Sequence, residues 1–195
     1  MPSTINASNG PTSGLISTGD ASGVLTLQTN NGVTALTLGT DQSATFASKV
    51  TITGTTSSLG LVLTNMAEVT TVSATAAIGT ITYDVTTQSV LYYTVAAAGN
   101  WSINFRASSG TTLNAAMATG QAITVAFLST NGPTAYYNNN GGVVVQVDGV
   151  SITPKYQGGT AWTGGNASSI DVYVYTIIKT GSAAFTVLAS QTKYA

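Results

Sequence analysis

Six carboxylates, Asp20, Asp41, Glu68, Asp84, Asp148 and Asp171, are the only acids this chain could commit to catalysis. Glycoside hydrolysis would need two of them about 5–9.5 Å apart across a cleft, one with a raised pKa. No spacing singles out such a pair. Asp148 belongs to an Asp-Gly turn signal, and Asp20 and Asp41 sit in Gly-rich turn sequence. Only Asp84 and Asp171 border strand-like runs. The chain has no His and no Cys, which removes the commonest general base, thiolate nucleophiles, disulfides and the usual transition-metal ligands. The stretch Asn138-Asn139-Asn140-Gly141-Gly142 offers amide oxygens to a hard cation such as calcium but no carboxylate, and reads as a turn or a mobile loop tip. Gly158-Gly159 and Gly164-Gly165 are not followed by Gly-Lys-Ser/Thr, so neither is a phosphate loop. The chain therefore reads as non-enzymatic, with no metal and no cofactor.

What remains is the chemistry of contact. Tyr136, Tyr137, Tyr156 and Trp162 fall in loop-like sequence beside Asn, Gln and Thr, a setting in which aromatic rings stack on sugars or fill a protein interface. The segment Gly158 to Asn166, centred on Trp162, is the best candidate for an exposed binding loop. The competing reading places Trp101 in the core and lets Trp162 close one end of a sandwich.

The elements that must position these residues are strands. Charged residues make up 6% of the chain and hydrophobic ones 43%, so the high-charge signature of disorder is missing. The polarity comes from Thr, Ser, Asn and Gln, and Thr with Val, Ile and Tyr favours pleated, half-buried backbone. Runs at Gly79 to Asp84, Ser89 to Val95, Trp101 to Arg106, Gln121 to Leu128, Val143 to Val147, Val150 to Thr153, Ile170 to Ile178 and Phe185 to Ser190 read as strands. Asp148-Gly149 is a tight hairpin signal. One short helix is expected where Thr112 caps a turn carrying Leu113 and Met117, with Gly120 beyond its C-terminus. In Ile170 to Ile178 one face carries Ile170, Val172, Val174 and Ile178 and the other Tyr173, Tyr175 and Ile177, so both faces are partly covered. Dominance of hairpins and short links predicts a jelly-roll-like antiparallel β-sandwich over residues 65–195.

Residues 1–23 are Ser/Thr/Asn/Gly-rich with two prolines and read as an extended docking arm. Residues 24–64 carry short alternating pairs, Leu25 and Leu27, Leu36 and Leu38, Val50 and Ile52, separated by turn chemistry at Asn30-Asn31-Gly32, Gly39 and Asp41. A ribbon this narrow cannot bury a face alone. Leu25, Leu27, Leu36, Leu38, Phe46, Val50 and Ile52 are therefore expected at an oligomer interface, with packing on the chain's own sandwich as the competing arrangement.

Partners are bounded by charge and hydropathy. Five basic residues scattered along a chain of net charge −1 form no stripe for a phosphate backbone, so nucleic acid is not expected. Mean hydropathy is +0.27, yet no apolar run approaches the ~18 residues of a membrane span. The start of the chain lacks a cationic segment followed by an apolar one, so no secretory leader is expected.

Two stretches carry a family likeness. The runs Ser13 to Thr18, Leu25 to Gly32 and Ala44 to Thr51 resemble repeats in fibre-like structural proteins of marine and cyanobacterial tailed phages. Ala126 to Gly132, Asp148 to Lys155 and Phe185 to Thr192 resemble a domain of virion proteins from the same phages. The resemblance implies a trimeric fibre-type appendage on the virion surface, assembled in the host cytoplasm, held to other virion proteins by its N-terminal arm and meeting a host-surface glycan. A capsid-decorating or cement protein is the alternative. A secreted ice- or carbohydrate-binding protein, suggested by Thr-Ile-Thr at Thr51 to Thr53 and Thr80 to Thr82, fits less well because the Thr spacing is irregular.

Overall fold

The computed structural model describes residues 23–29, 33–47, 50 and 67–195. The protein is mostly β, and the chain divides into two compact units, Met1–Thr64 and Asn65–Ala195. The arm expected at 1–23 lies outside the described residues except for Gly23.

In the first unit three strands, β1 (Leu25–Thr29), β2 (Val33–Leu38) and β3 (Ala44–Phe46), form an antiparallel sheet in that order. The β2–β3 turn is built by Asp41, whose carboxylate accepts from the Ser43 backbone N–H at 3.1 Å and from its hydroxyl at 2.7 Å. Those bonds hold the Asp41 carboxyl below its ordinary pKa. The Gly39 N–H closes the same turn on the Ser43 carbonyl at 2.9 Å.

The second unit contains β4 (Thr70–Ala76), β5 (Gly79–Asp84), β6 (Val90–Val95), β7 (Trp101–Arg106), a single-turn helix α1 (Leu113–Ala116) and β8 (Ala122–Thr130). There follow β9 (Val145–Val147), β10 (Val150–Ile152), β11 (Lys155–Tyr156), β12 (Ile170–Gly181) and β13 (Ala184–Tyr194). They make a six-stranded sheet, β11-β13-β12-β8-β6-β4, and a four-stranded sheet, β10-β9-β7-β5. The expected helix forms with Thr112 as its N-cap, its Oγ1 accepting from the Ala115 N–H at 3.1 Å, but it ends with Met117 in extended backbone, so Gly120, at φ +88°, turns the chain beyond the helix and does not cap it.

The expectation of antiparallel, jelly-roll connectivity is corrected by the pairing. From β4 to β9 the chain changes sheet at every strand, so neighbours within a sheet are two apart in sequence and point the same way. β4, β6 and β8 are parallel, as are β5, β7 and β9. Parallel neighbours need a crossover connection, and here a strand of the opposite sheet supplies it. Short links suggested hairpins, but most of these short links bridge the two sheets. Antiparallel pairing returns in the β9–β10 hairpin, turned by Asp148 (φ +52°) and Gly149 (φ +82°), and in the β8–β12–β13 meander.

The sheets face each other across an aromatic core. Trp101 of β7 meets Phe127 of β8 and Tyr173 of β12 edge-on, with ring centroids 4.7 and 4.8 Å away, and Phe105 meets Tyr175 at 5.1 Å. All five rings are fully buried. Edge-to-face pairs add about 0.5–1.5 kcal/mol beyond the area they bury. On β12 the alternation read from sequence appears directly: Tyr173, Tyr175 and Ile177 are fully buried, while Ile170, Val172, Val174 and Ile178 are half-buried on the other face.

Candidate functional site

The ribbon residues converge on one face of the β1–β3 sheet. Directly opposed residues of an antiparallel pair share a face, as do residues two apart on a strand. Leu25 opposes Leu38, Leu27 opposes Leu36, and Leu36 opposes Phe46. Five of the seven expected interface residues therefore form one continuous apolar surface. Thr26, Thr37 and Thr45 stand opposite one another on the reverse face. Leu25 and Leu27 are each 44% exposed and Phe46 53%, while Leu36 is half-buried between its two neighbours. Val50 is also exposed, and Ile52 lies outside the described residues.

Three carboxylates of the second unit, Asp84, Asp148 and Asp171, are engaged in structure. Asp84 forms a forked pair with Arg106, its parallel cross-strand neighbour, and this pairing raises the Arg106 pKa. Asp148 caps α1, accepting from the Leu113 N–H at 2.7 Å and the Asn114 N–H at 2.9 Å. Asp171 is wholly buried, and its Oδ2 accepts from Asn131 Nδ2 at 3.1 Å and the Asn166 N–H at 2.9 Å. Burial pushes its pKa up, against those hydrogen bonds and the charge of Lys193 on the neighbouring strand. Asp84 and Asp171 stand on strands of different sheets.

Around Asp171 the core is polar. Its Oδ1, Asn131 Oδ1 and the hydroxyl of its cross-strand neighbour Ser129 are buried atoms without a hydrogen-bond partner. Two are acceptors and the third can accept or donate.

Asn138 is the residue that sequence reasoning missed. It is fully buried, not a mobile loop tip. Its Nδ2 donates to the Trp101 carbonyl at 3.0 Å and the Val144 carbonyl at 2.9 Å, and its Oδ1 accepts from the Tyr175 hydroxyl at 2.9 Å. Its own carbonyl accepts from Trp162 Nε1 at 2.8 Å. A run of three Asn before two Gly reads as a turn, and nothing local distinguishes the first of them as a core residue.

The four candidate loop aromatics, Tyr136, Tyr137, Tyr156 and Trp162, are half-buried and pack against the core. Trp162 stands edge-on between Tyr156 at 4.9 Å and Tyr173 at 5.3 Å, and so closes one margin of the sandwich. Tyr156 and Trp162 also line a shallow groove of about 440 Å³, with Gln157, Thr160, Gln191 and Thr192 on its walls. Tyr136 and Tyr137 do not border it.

Among the described residues, no group of three or more His, Cys, Asp or Glu could hold a metal, and no helix is long and apolar enough to cross a membrane. No protein-family model, curated protein or solved structure matches the chain.

Proposed function

We propose that this chain is a structural component of a tailed-phage virion, a homotrimeric fibre-type appendage. In this reading the N-terminal arm docks on other virion proteins, the β1–β3 ribbon joins three chains, and the sandwich faces outward. The observation that carries it is the two-faced ribbon: Leu25, Leu27, Leu36, Leu38 and Phe46 on one side and threonines on the other. Burying a leucine side chain stabilises by ~1.5–3 kcal/mol, so copies that share this face gain a core that one ribbon lacks. Identical chains joined by one face close into a ring when the rotation allows, and three is the smallest ring beyond the dimer. The phage setting comes from the two sequence stretches described above. The Tyr156–Trp162 groove, lined by amides and hydroxyls, suits an uncharged host glycan.

Native mass measurement of the full chain tests the assembly. A trimer that weakens in Leu36→Asp with Leu38→Asp supports it, and a monomer at micromolar concentration sinks it. A shell-decorating protein could share this architecture. Copies per particle separate the two, since hundreds imply the shell and a few dozen or fewer the tail.

A further inference from the structure

We infer that the outer face of the six-stranded sheet is a second self-association surface, whose occupant is another copy of this chain; the inference rests on the homo-oligomer reading. Cross-strand register lines up Val72, Tyr92, Leu128 and Val172 on β4, β6, β8 and β12. The adjacent row holds Val90, Ala126 and Val174, followed by Leu188 beside Thr176 and then Ile178. All of these point away from the aromatic core. Val72 is 63% and Leu188 44% exposed, and the others are half-buried. Tyr156 and Gln157 border the face beside Val174, Thr176 and Leu188.

Its chemistry selects the occupant. The side chains of β4, β6, β8, β12 and β13 on this side are aliphatic, Tyr, Ser or Thr, and the one charge is Lys155, on edge strand β11 beside Leu188. Interface cores are depleted of charge, and an uncharged face needs an uncharged counterpart. The same face on a second copy meets that requirement without like-charge contact. Five strands about 4.8 Å apart, with about six residues each, span roughly 500 Å² in projection, more as accessible area. A standard interface uses ~800 Å² per partner, so this face can form the core of one. Sheets pack on one another at about 10 Å, which half-buried valines, leucines and one tyrosine can fill.

The test uses the full chain and two sets of variants. Leu128→Lys with Val174→Lys alters only the sheet face, and Leu36→Asp with Leu38→Asp alters only the ribbon. The expected result is that the ribbon variant keeps a concentration-dependent oligomer in native mass measurement, and that adding the two lysines reduces it to monomer. A ribbon variant already fully monomeric overturns the sheet-face inference and leaves the ribbon intact as the interface. A monomeric wild type overturns both. Because lysines could unfold the sandwich, thiol protection gives an independent reading in a chain that lacks cysteine. Val174→Cys should react with a maleimide at least tenfold more slowly in the oligomer than after dilution to monomer. Ser151→Cys, exposed on β10, should react at one rate throughout. Equal rates for Val174→Cys at both concentrations overturn the inference.

Discussion

Asp148 and Lys179 hold opposite ends of the same helical turn. The Asp148 carboxylate receives the first two N–H groups of α1, while the Lys179 ammonium, buried on β12, donates to the carbonyls of Asn114 and, at 2.8 Å, Met117. A helix leaves its first N–H and last C=O groups unpaired, and its dipole favours an anion at the first end and a cation at the second. In so short an element these two side chains replace what further turns would supply.

Lys179→Met should therefore destabilise the sandwich, although it removes a buried charge. The variant leaves two carbonyls without their donor, at about 1–3 kcal/mol. Thermal denaturation should show a melting temperature lower by several degrees. An unchanged value would mean that solvent replaces the ammonium at no cost.

Asn138 ties together four groups, and three of them, on Trp101, Trp162 and Tyr175, are distant in sequence. Asn138→Ala should leave the Trp101 carbonyl and the Tyr175 hydroxyl without their Asn138 partner, and the Val144 carbonyl with the Ile103 N–H, so a loss of about 2–3 kcal/mol is expected. Asn138→Asp keeps the shape but turns an acceptor toward the two carbonyls, and it should be no less damaging. Chemical denaturation of the two variants checks this, and a near-neutral Asn138→Asp would contradict the assigned amide orientation.

The unequal legibility of the sequence has a physical basis. β5 and β7 could be bounded at Gly79–Asp84 and Trp101–Arg106 because each combines an apolar alternation with a turn signal at its ends. β4, Thr-Thr-Val-Ser-Ala-Thr-Ala, was not legible: it is an edge strand with little to bury, and Val72 is its only large apolar residue. The parallel pairing was also hidden, since hydrophobic alternation reports which face is buried and not which sheet the next strand joins. The ribbon face could be read, because a period of two on three adjacent strands puts Leu25, Leu27, Leu36, Leu38 and Phe46 together once the register is known. Asn138 and the Asp148 and Lys179 caps on α1 depend mainly on partners remote in sequence, where no local pattern reaches.

Gly165 needs its missing side chain. A Cβ there would stand 2.3 Å from the Tyr136 carbonyl oxygen, 2.8 Å from Asp171 Oδ2 and 2.9 Å from Asn131 Nδ2. A backbone atom and a buried hydrogen-bonded pair cannot step aside cheaply. Gly165→Ala is expected to cost about 1–3 kcal/mol, as over-packing does elsewhere. Equilibrium unfolding measures it, and a neutral result would mean that the 163–169 loop shifts freely.

Asp171 gives the pH dependence. Its folded pKa is raised above the ordinary 3.8 by burial, so the folded chain binds this proton more tightly than the unfolded one. The sign follows: the contribution to stability is fully present below the unfolded value and is lost as pH rises through the folded value. Asp171→Asn removes the titration. Its amide oxygen can still accept from Asn131 Nδ2 and the Asn166 N–H, and its amide nitrogen can donate where Oδ1 now has no partner, beside the orphaned oxygens of Asn131 and Ser129. The variant should therefore melt higher than wild type at pH 7. The gap should narrow as pH falls through the raised value toward about 4, where both proteins carry a neutral side chain. Melting curves from pH 3 to pH 8 decide it. A gap of constant size would assign the difference to hydrogen-bond geometry, and a variant less stable at every pH would show that the Asp171 carboxylate is held ionised by a charge such as Lys193.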